Sequence, residues 1–150
     1  MYSRQEASQM KRKFWTAFGQ YLRPVQGATG QTVNWLNYKT GIKDLFFRMD
    51  ATPQRAAVAV EIRQQFPGER YRVYDTWLSL KTLMEQELPG EWIWEKDVAD
   101  EDGRIISRIS TYSSPVNIFR EEDWPAIISF LKPRIIALDE FWMLVKDRFE

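Results

Sequence analysis

Residues 33–63, VNWLNYKTGIKDLFFRMDATPQRAAVAVEIR, decide how the chain is read. Two turn signals divide them into three extended segments. At Thr40-Gly41 the glycine reaches positive φ without a Cβ penalty, and the flanks at 35–39 and 42–49 favour strand. At Ala51-Thr52-Pro53-Gln54 the proline has no N–H and a fixed φ, so it suits a turn rather than a ladder. The expectation is a three-strand antiparallel meander. With a two-residue loop at Thr40-Gly41, Trp35 faces Phe46 and Asn37 faces Asp44. Across the second turn Phe46 faces Ala59 and Asp44 faces Glu61.

Side chains alternate along a strand, so the meander has two unlike faces. Leu36, Tyr38, Leu45, Phe47, Met49, Val58, Val60 and Ile62 form the expected core face. The other face carries Trp35, Phe46 and Ala59 in one row, Asn37, Asp44 and Glu61 in the next, then Lys39, Ile42 and Arg63. Two carboxylates directly opposite repel, at a cost of a few tenths to about 1 kcal/mol. Either Arg63 and Lys39 bridge Asp44 and Glu61 on a solvated face, or a divalent cation or ligand does. A different loop length slips the register and dissolves the pair.

Composition narrows the chemistry. At 150 residues the chain is read as one domain, 1–150, able to bury a substantial core, and 44% hydrophobic content with seven Trp speaks against disorder. Lys plus Arg equals Asp plus Glu at 21 each, without the basic excess of a nucleic-acid coat protein. There is no Cys and no His, which excludes disulfides, thiolate chemistry and both Ser-His-Asp and Cys-His catalysis. Any metal would sit on carboxylates and carbonyls, hence Mg²⁺, Mn²⁺ or Ca²⁺. The amino terminus MYSRQEASQMKRK has no apolar signal region, and no stretch approaches the roughly 18 apolar residues of a membrane span, so a cytoplasmic protein is expected.

Around the meander, Ser3 with Glu6 makes a capping box, and Ala7, Met10, Phe14, Phe18 and Tyr21 recur at helical spacing until Pro24. Lys11, Arg12 and Lys13 lie on its outer face, a solvated run or a phosphate contact. A second helix is expected over 71–88 with a stripe of Val73, Trp77, Leu80, Met84 and Leu88, stopped by Pro89-Gly90. Strands at 91–98 and 104–112 join at Asp102-Gly103. The acidic DVADEDG is a hairpin tip: an EF-hand placing Gly103 sixth would need ligands from Val98 and Ile109. From Glu121 the chain reads as helix to its end, with Pro133 kinking or dividing it. Ile127, Ile128, Phe130, Leu131, Ile135 and Ile136 leave little polar face, so this surface needs burial on the sheet or against a second subunit.

The order implies an α+β fold, mainly antiparallel, with a three-strand meander plus a hairpin packed by an N-terminal helix, a middle helix and long C-terminal helices. Its first part resembles the PD-(D/E)xK nuclease core, in which a carboxylate on the second strand and a Glu-x-Lys on the third hold Mg²⁺ beside an activated water. Asp44 and Glu61-Ile62-Arg63 stand in comparable places, with Glu6 as an extra acid. Arg63 departs from that pattern, because arginine stays protonated where lysine can shift its pKa.

The blocks FWTAFGQYLRPV, WLNYKTGIKDLFFRMD, AAVAVEI, DEDGRIISRI and DWPAIISFLKPRIIALDEFW together resemble the bacterial family catalogued as domain of unknown function DUF 4268. The resemblance covers nearly the whole chain. It implies a cytoplasmic bacterial protein, found alone or after a nuclease-like domain, and it transfers no catalytic residue. The expectation is a non-enzymatic module, without cofactor, that binds a protein partner or itself as a homo-oligomer. Its binding residues are expected to be Trp35, Asn37, Lys39, Phe46 and Arg48. The alternative is a Mg²⁺- or Mn²⁺-dependent nuclease relic or nucleic-acid binder, with Asp44 and Glu61 as metal ligands and Arg63 beside them.

Overall fold

The computed structural model describes residues 3–150. Helix α1, Arg4–Leu22, opens on the expected capping box: Glu6 N–H donates to Ser3 Oγ at 3.1 Å and Ser3 N–H to Glu6 Oε1 at 3.3 Å. Strands β1, Leu45–Ala51, and β2, Ala56–Ile62, form a hairpin. Helices α2, Pro67–Ser79, and α3, Lys81–Glu87, follow, then β3, Ile93–Ala99, β4, Ile105–Ser113, and the long α4, Trp124–Val145. Among the described residues there is one sheet, antiparallel throughout, in the order β1-β2-β4-β3, so the second hairpin extends the first. The α+β expectation holds.

The first strand of the meander does not form. Residues 35–37 make a 3₁₀ turn instead, with Asn34 Oδ1 accepting from Asn37 N–H at 3.3 Å. Distant partners take its polar groups: Trp35 Nε1 donates to the Val25 carbonyl at 2.9 Å, and the buried Tyr38 hydroxyl donates to Asp139 on α4. Thr40 Oγ1 donates to the Leu45 carbonyl at 2.9 Å, while the Thr40 carbonyl accepts from Trp142 Nε1 at 3.0 Å. Gly41 takes φ +84 as expected of a turn glycine, but the loop it serves ends at Asp44 with φ +62. Aspartate is among the few non-glycine residues that tolerate this region.

The register differs from the sequence reading by two residues. Phe46 pairs with Glu61 and Arg48 with Ala59. An even slip preserves the faces. Leu45, Phe47, Val58, Val60 and Ile62 are buried on one face, as expected, while Leu36 lies exposed outside the sheet. On β4 the same face continues through Ser107, Ile109 and Thr111.

Helices cover that face alone. The expected stripe Trp77, Leu80, Met84 and Leu88 is buried, although helix breaks at Leu80 into α2 and α3. Helix α4 runs through Pro133 unbroken. Its missing donor leaves the Ser129 carbonyl without a helical partner, and both residues are exposed, so water can supply it. Much of the apolarity of α4 is buried inside the chain: Ile127, Leu131, Ile135, Leu138, Phe141 and Trp142 are at most 1% exposed, while Leu144 stays 66% exposed. Trp77 and Trp142 stack at 5.8 Å and 16°, Phe149 lies against both, and the Phe47 ring meets Trp142 edge-on at 5.4 Å. Such pairs add about 0.5–1.5 kcal/mol each beyond area burial.

Candidate functional site

With the helices on one side, the other face of the sheet is open. Its floor is made of small side chains, Ala57 and Ala59 on β2 and Ser110 on β4, which leave a hollow of about 220 Å³. Arginines from neighbouring strands form its walls: Arg48 on β1, Arg63 just past β2, Arg108 on β4 and Arg55 from the β1–β2 turn. Asp50, Glu61, Asp100 and Glu101 line the same hollow. Four cations meet four anions, so the surface is strongly patterned and carries no net charge.

Arg63 is the centre of the pairing. Its Nε donates to Glu61 Oε1 at 2.9 Å and its Nη1 to Asp100 Oδ2 at 2.8 Å. These hydrogen bonds and charges raise the Arg63 pKa although burial opposes them, and the same contact holds Asp100 below the usual carboxylate range. Asp100 also accepts from the N–H groups of Asp102 and Arg104, each at 2.9 Å, which locks the hairpin tip read from DVADEDG. Arg48 approaches Glu61 at 3.4 Å and lies over the Phe46 ring at 4.4 Å. Arg55 covers the Tyr112 ring at 4.7 Å. Among the described residues neither Arg55 nor Arg108 makes an ion pair, and Arg108 Nε is buried without a hydrogen-bond partner.

This surface gathers only some of the residues singled out from the sequence. Phe46, Arg48, Glu61 and Arg63 share it. Trp35 is buried at 3% exposure and lies away from this face, and Asn37 and Lys39 stand exposed on the loop that replaces the expected strand. Asp44 does not face Glu61: it precedes β1, and its carbonyl accepts from Arg63 N–H at 2.8 Å. The paired-carboxylate arrangement is therefore corrected to Glu61 held by two arginines, and no group of three metal-ligating side chains converges among the described residues. Lys13 of the basic run reaches Glu121 at 2.8 Å, an exposed contact between α1 and the approach to α4. The structure adds Arg108, Ser110 and Tyr112, which the sequence reading does not single out. Their period-two spacing was visible, but only the β2–β4 pairing sets them beside Ala57, Ala59 and Glu61.

A single antiparallel sheet, packed by helices on one face and bearing a charged hollow on the other, defines the chain as an α+β domain with an open sheet face. A family model described as Domain of unknown function (DUF4268) matches residues 10–146, and the chain belongs to that family. No curated protein and no solved structure matches it.

Proposed function

We propose that the chain is a non-catalytic interaction module that meets a protein partner, a second copy of itself included, through the open sheet face. One observation carries this reading. The hollow over Ala57, Ala59 and Ser110 is rimmed by arginines, two of them without an ion pair among the described residues, while Glu61, the acid a metal would need, is already engaged by Arg63 and Arg48. Arginine and aromatic side chains presented over a small-residue floor are the groups that anchor protein interfaces. The apolar helix α4, the other surface expected to self-associate, puts most of its large side chains into the core, with Leu144 still exposed, so the sheet face is the larger candidate. A cytoplasmic setting agrees with a chain that has no cysteine.

The test is sedimentation velocity of wild type and Ala59→Arg across micromolar concentrations, beside a phosphodiester-cleavage assay with Mg²⁺ and Mn²⁺. A wild-type dimer that Ala59→Arg dissociates supports self-association through this face. A wild-type monomer removes the second copy as partner. Metal-dependent cleavage lost in Glu61→Gln overturns the non-catalytic reading. Single-stranded nucleic acid is the second reading, favoured by the two arginine-on-ring stacks, Arg48 with Phe46 and Arg55 with Tyr112. Binding of a labelled oligonucleotide that Arg48→Ala and Arg55→Ala each weaken would support it over a protein partner.

A further inference from the structure

Only half of the charges around the sheet-face hollow are answered within the chain. Glu61 is held by Arg63 and Arg48, and Asp100 by Arg63. Among the described residues Arg55, Arg108, Asp50 and Glu101, which line the same hollow, make no ion pair. Arg108 is the most constrained of them. It is half-buried, and its Nε has no hydrogen-bond partner. Register sets it between Glu61 on β2 and Glu95 on β3, but the first is already engaged and the second does not line the hollow.

The unanswered charges are ordered along the strands. Asp50 pairs with Ala57 and Arg55 precedes β2, so both stand at the β1–β2 turn. Arg108 pairs with Glu61 and Glu101 sits on the β3–β4 tip, at the other end of the hollow. Ala57 and Glu61 are four residues apart, about 13 Å along the strand. Each end therefore offers one free cation and one free anion, and the small side chain of Ala59 lies midway between them. A partner surface of one sign would attract one charge at each end and repel the other. The surface that suits both ends carries both signs at the same spacing, and this face is itself such a surface. An isologous two-fold contact sets a face against its own copy, so every pairing in it occurs twice.

We propose, resting on the reading of this face as an interface, that its occupant is a second copy of this chain. The two copies pack face to face about a two-fold axis that crosses the strands over Ala59, with Arg55 and Asp50 of each meeting Glu101 and Arg108 of the other. Ala57, Ala59 and Ser110 let the two sheets approach closely at the axis. The exposed side chains of Tyr112 and Ile93, which share this face, lose water on contact.

The experiment is sedimentation velocity of Arg55→Glu and Glu101→Lys, alone and mixed in equal amounts, beside wild type and Ala59→Arg. Both charge reversals fall on exposed side chains, so the fold is not at stake. Wild type should dimerise at micromolar concentration. Each reversal alone sets like charges together twice and should weaken the dimer by about tenfold or more. The mixture should recover it as a heterodimer, because both contacts then join opposite charges again. Asp50→Lys mixed with Arg108→Glu repeats the exchange at the second contact. A wild-type monomer overturns the second copy and leaves the face to a different protein. A dimer that Ala59→Arg breaks and both reversals leave intact overturns the charge pairing while the face stands. Loss in both variants without recovery in the mixture overturns the pairing of Arg55 with Glu101. A dimer indifferent to all three substitutions overturns the face as well.

Discussion

The buried hydroxyl of Tyr38 donates to the carboxylate of Asp139, 101 residues further along the chain. Asp139 lies within the apolar α4 at 1% exposure, and its other oxygen accepts from Ala28 N–H at 2.8 Å. One carboxylate thus fastens the whole segment between α1 and β1 to the last helix. Tyr38→Phe leaves that oxygen short of a donor and is expected to cost about 1–3 kcal/mol. Asp139→Ala strands both donors and should cost more. Urea unfolding of the two single variants and the double checks this: the double variant should lose less than the sum, because the groups act as a pair.

The same contact shapes the alkaline limb of stability. Burial, then the hydrogen bond and charge of Asp139, raise the Tyr38 phenol above its ordinary value of 10.0. A raised folded pKa means the contribution is complete below pH 10 and is lost as pH rises past it. Thermal midpoints between pH 8 and pH 11 should fall toward the upper end in wild type and more shallowly in Tyr38→Phe. Some slope should remain, since Tyr71 and Tyr74 shift in the same direction.

At the acid end the sign reverses. Asp100, held down chiefly by its hydrogen bond from Arg63, has a folded pKa below the ordinary 3.8, as does Asp97 beside Tyr71 and Arg70. Their contribution is present above pH 3.8 and disappears as pH falls below it through the lower folded values. Asp100→Asn should flatten the profile between pH 2 and pH 4. A variant that keeps the full wild-type slope would show that Arg63 does not hold Asp100 in solution.

Core and open face should respond differently to truncation. Trp142 is fully buried between Trp77, Phe47 and Phe149, so Trp142→Ala is expected to cost about 3–5 kcal/mol. Tyr112, 44% exposed on the sheet face, should change stability by no more than about 0.5 kcal/mol when replaced by Ala. Calorimetric unfolding of both variants makes the comparison. A large loss at Tyr112 would mean that the sheet face is structural rather than free for a partner.

Local chemistry explains which elements could be read in advance. The capping box of α1 needs only Ser3 and Glu6, three residues apart, and it forms as read. The acidic hairpin tip, the stripe from Trp77 to Leu88 and the buried face of β1 and β2 are likewise written in short-range period and turn residues. The expected first strand does not form because Trp35 and Tyr38, despite their strand propensity, spend their polar groups on Val25 and Asp139. With that strand went Trp35, Asn37, Lys39 and the Asp44–Glu61 pair as a single site. The apolarity of α4 shows that burial is needed, on the sheet or against a second subunit, but not which; the structure puts most of it in the core.

Period and turn chemistry by themselves determined the class of this protein, an α+β domain with an antiparallel sheet, and the parity that separates core from surface along β1 and β2. Only the tertiary structure decided the strand order β1-β2-β4-β3, the two-residue register and the cluster of Arg48, Arg55, Arg63 and Arg108 on one open face. The physical reason is one of range. Propensity and alternation act between residues a few positions apart, whereas pairing β2 with β4 joins distant segments, whose choice depends on how the whole core closes.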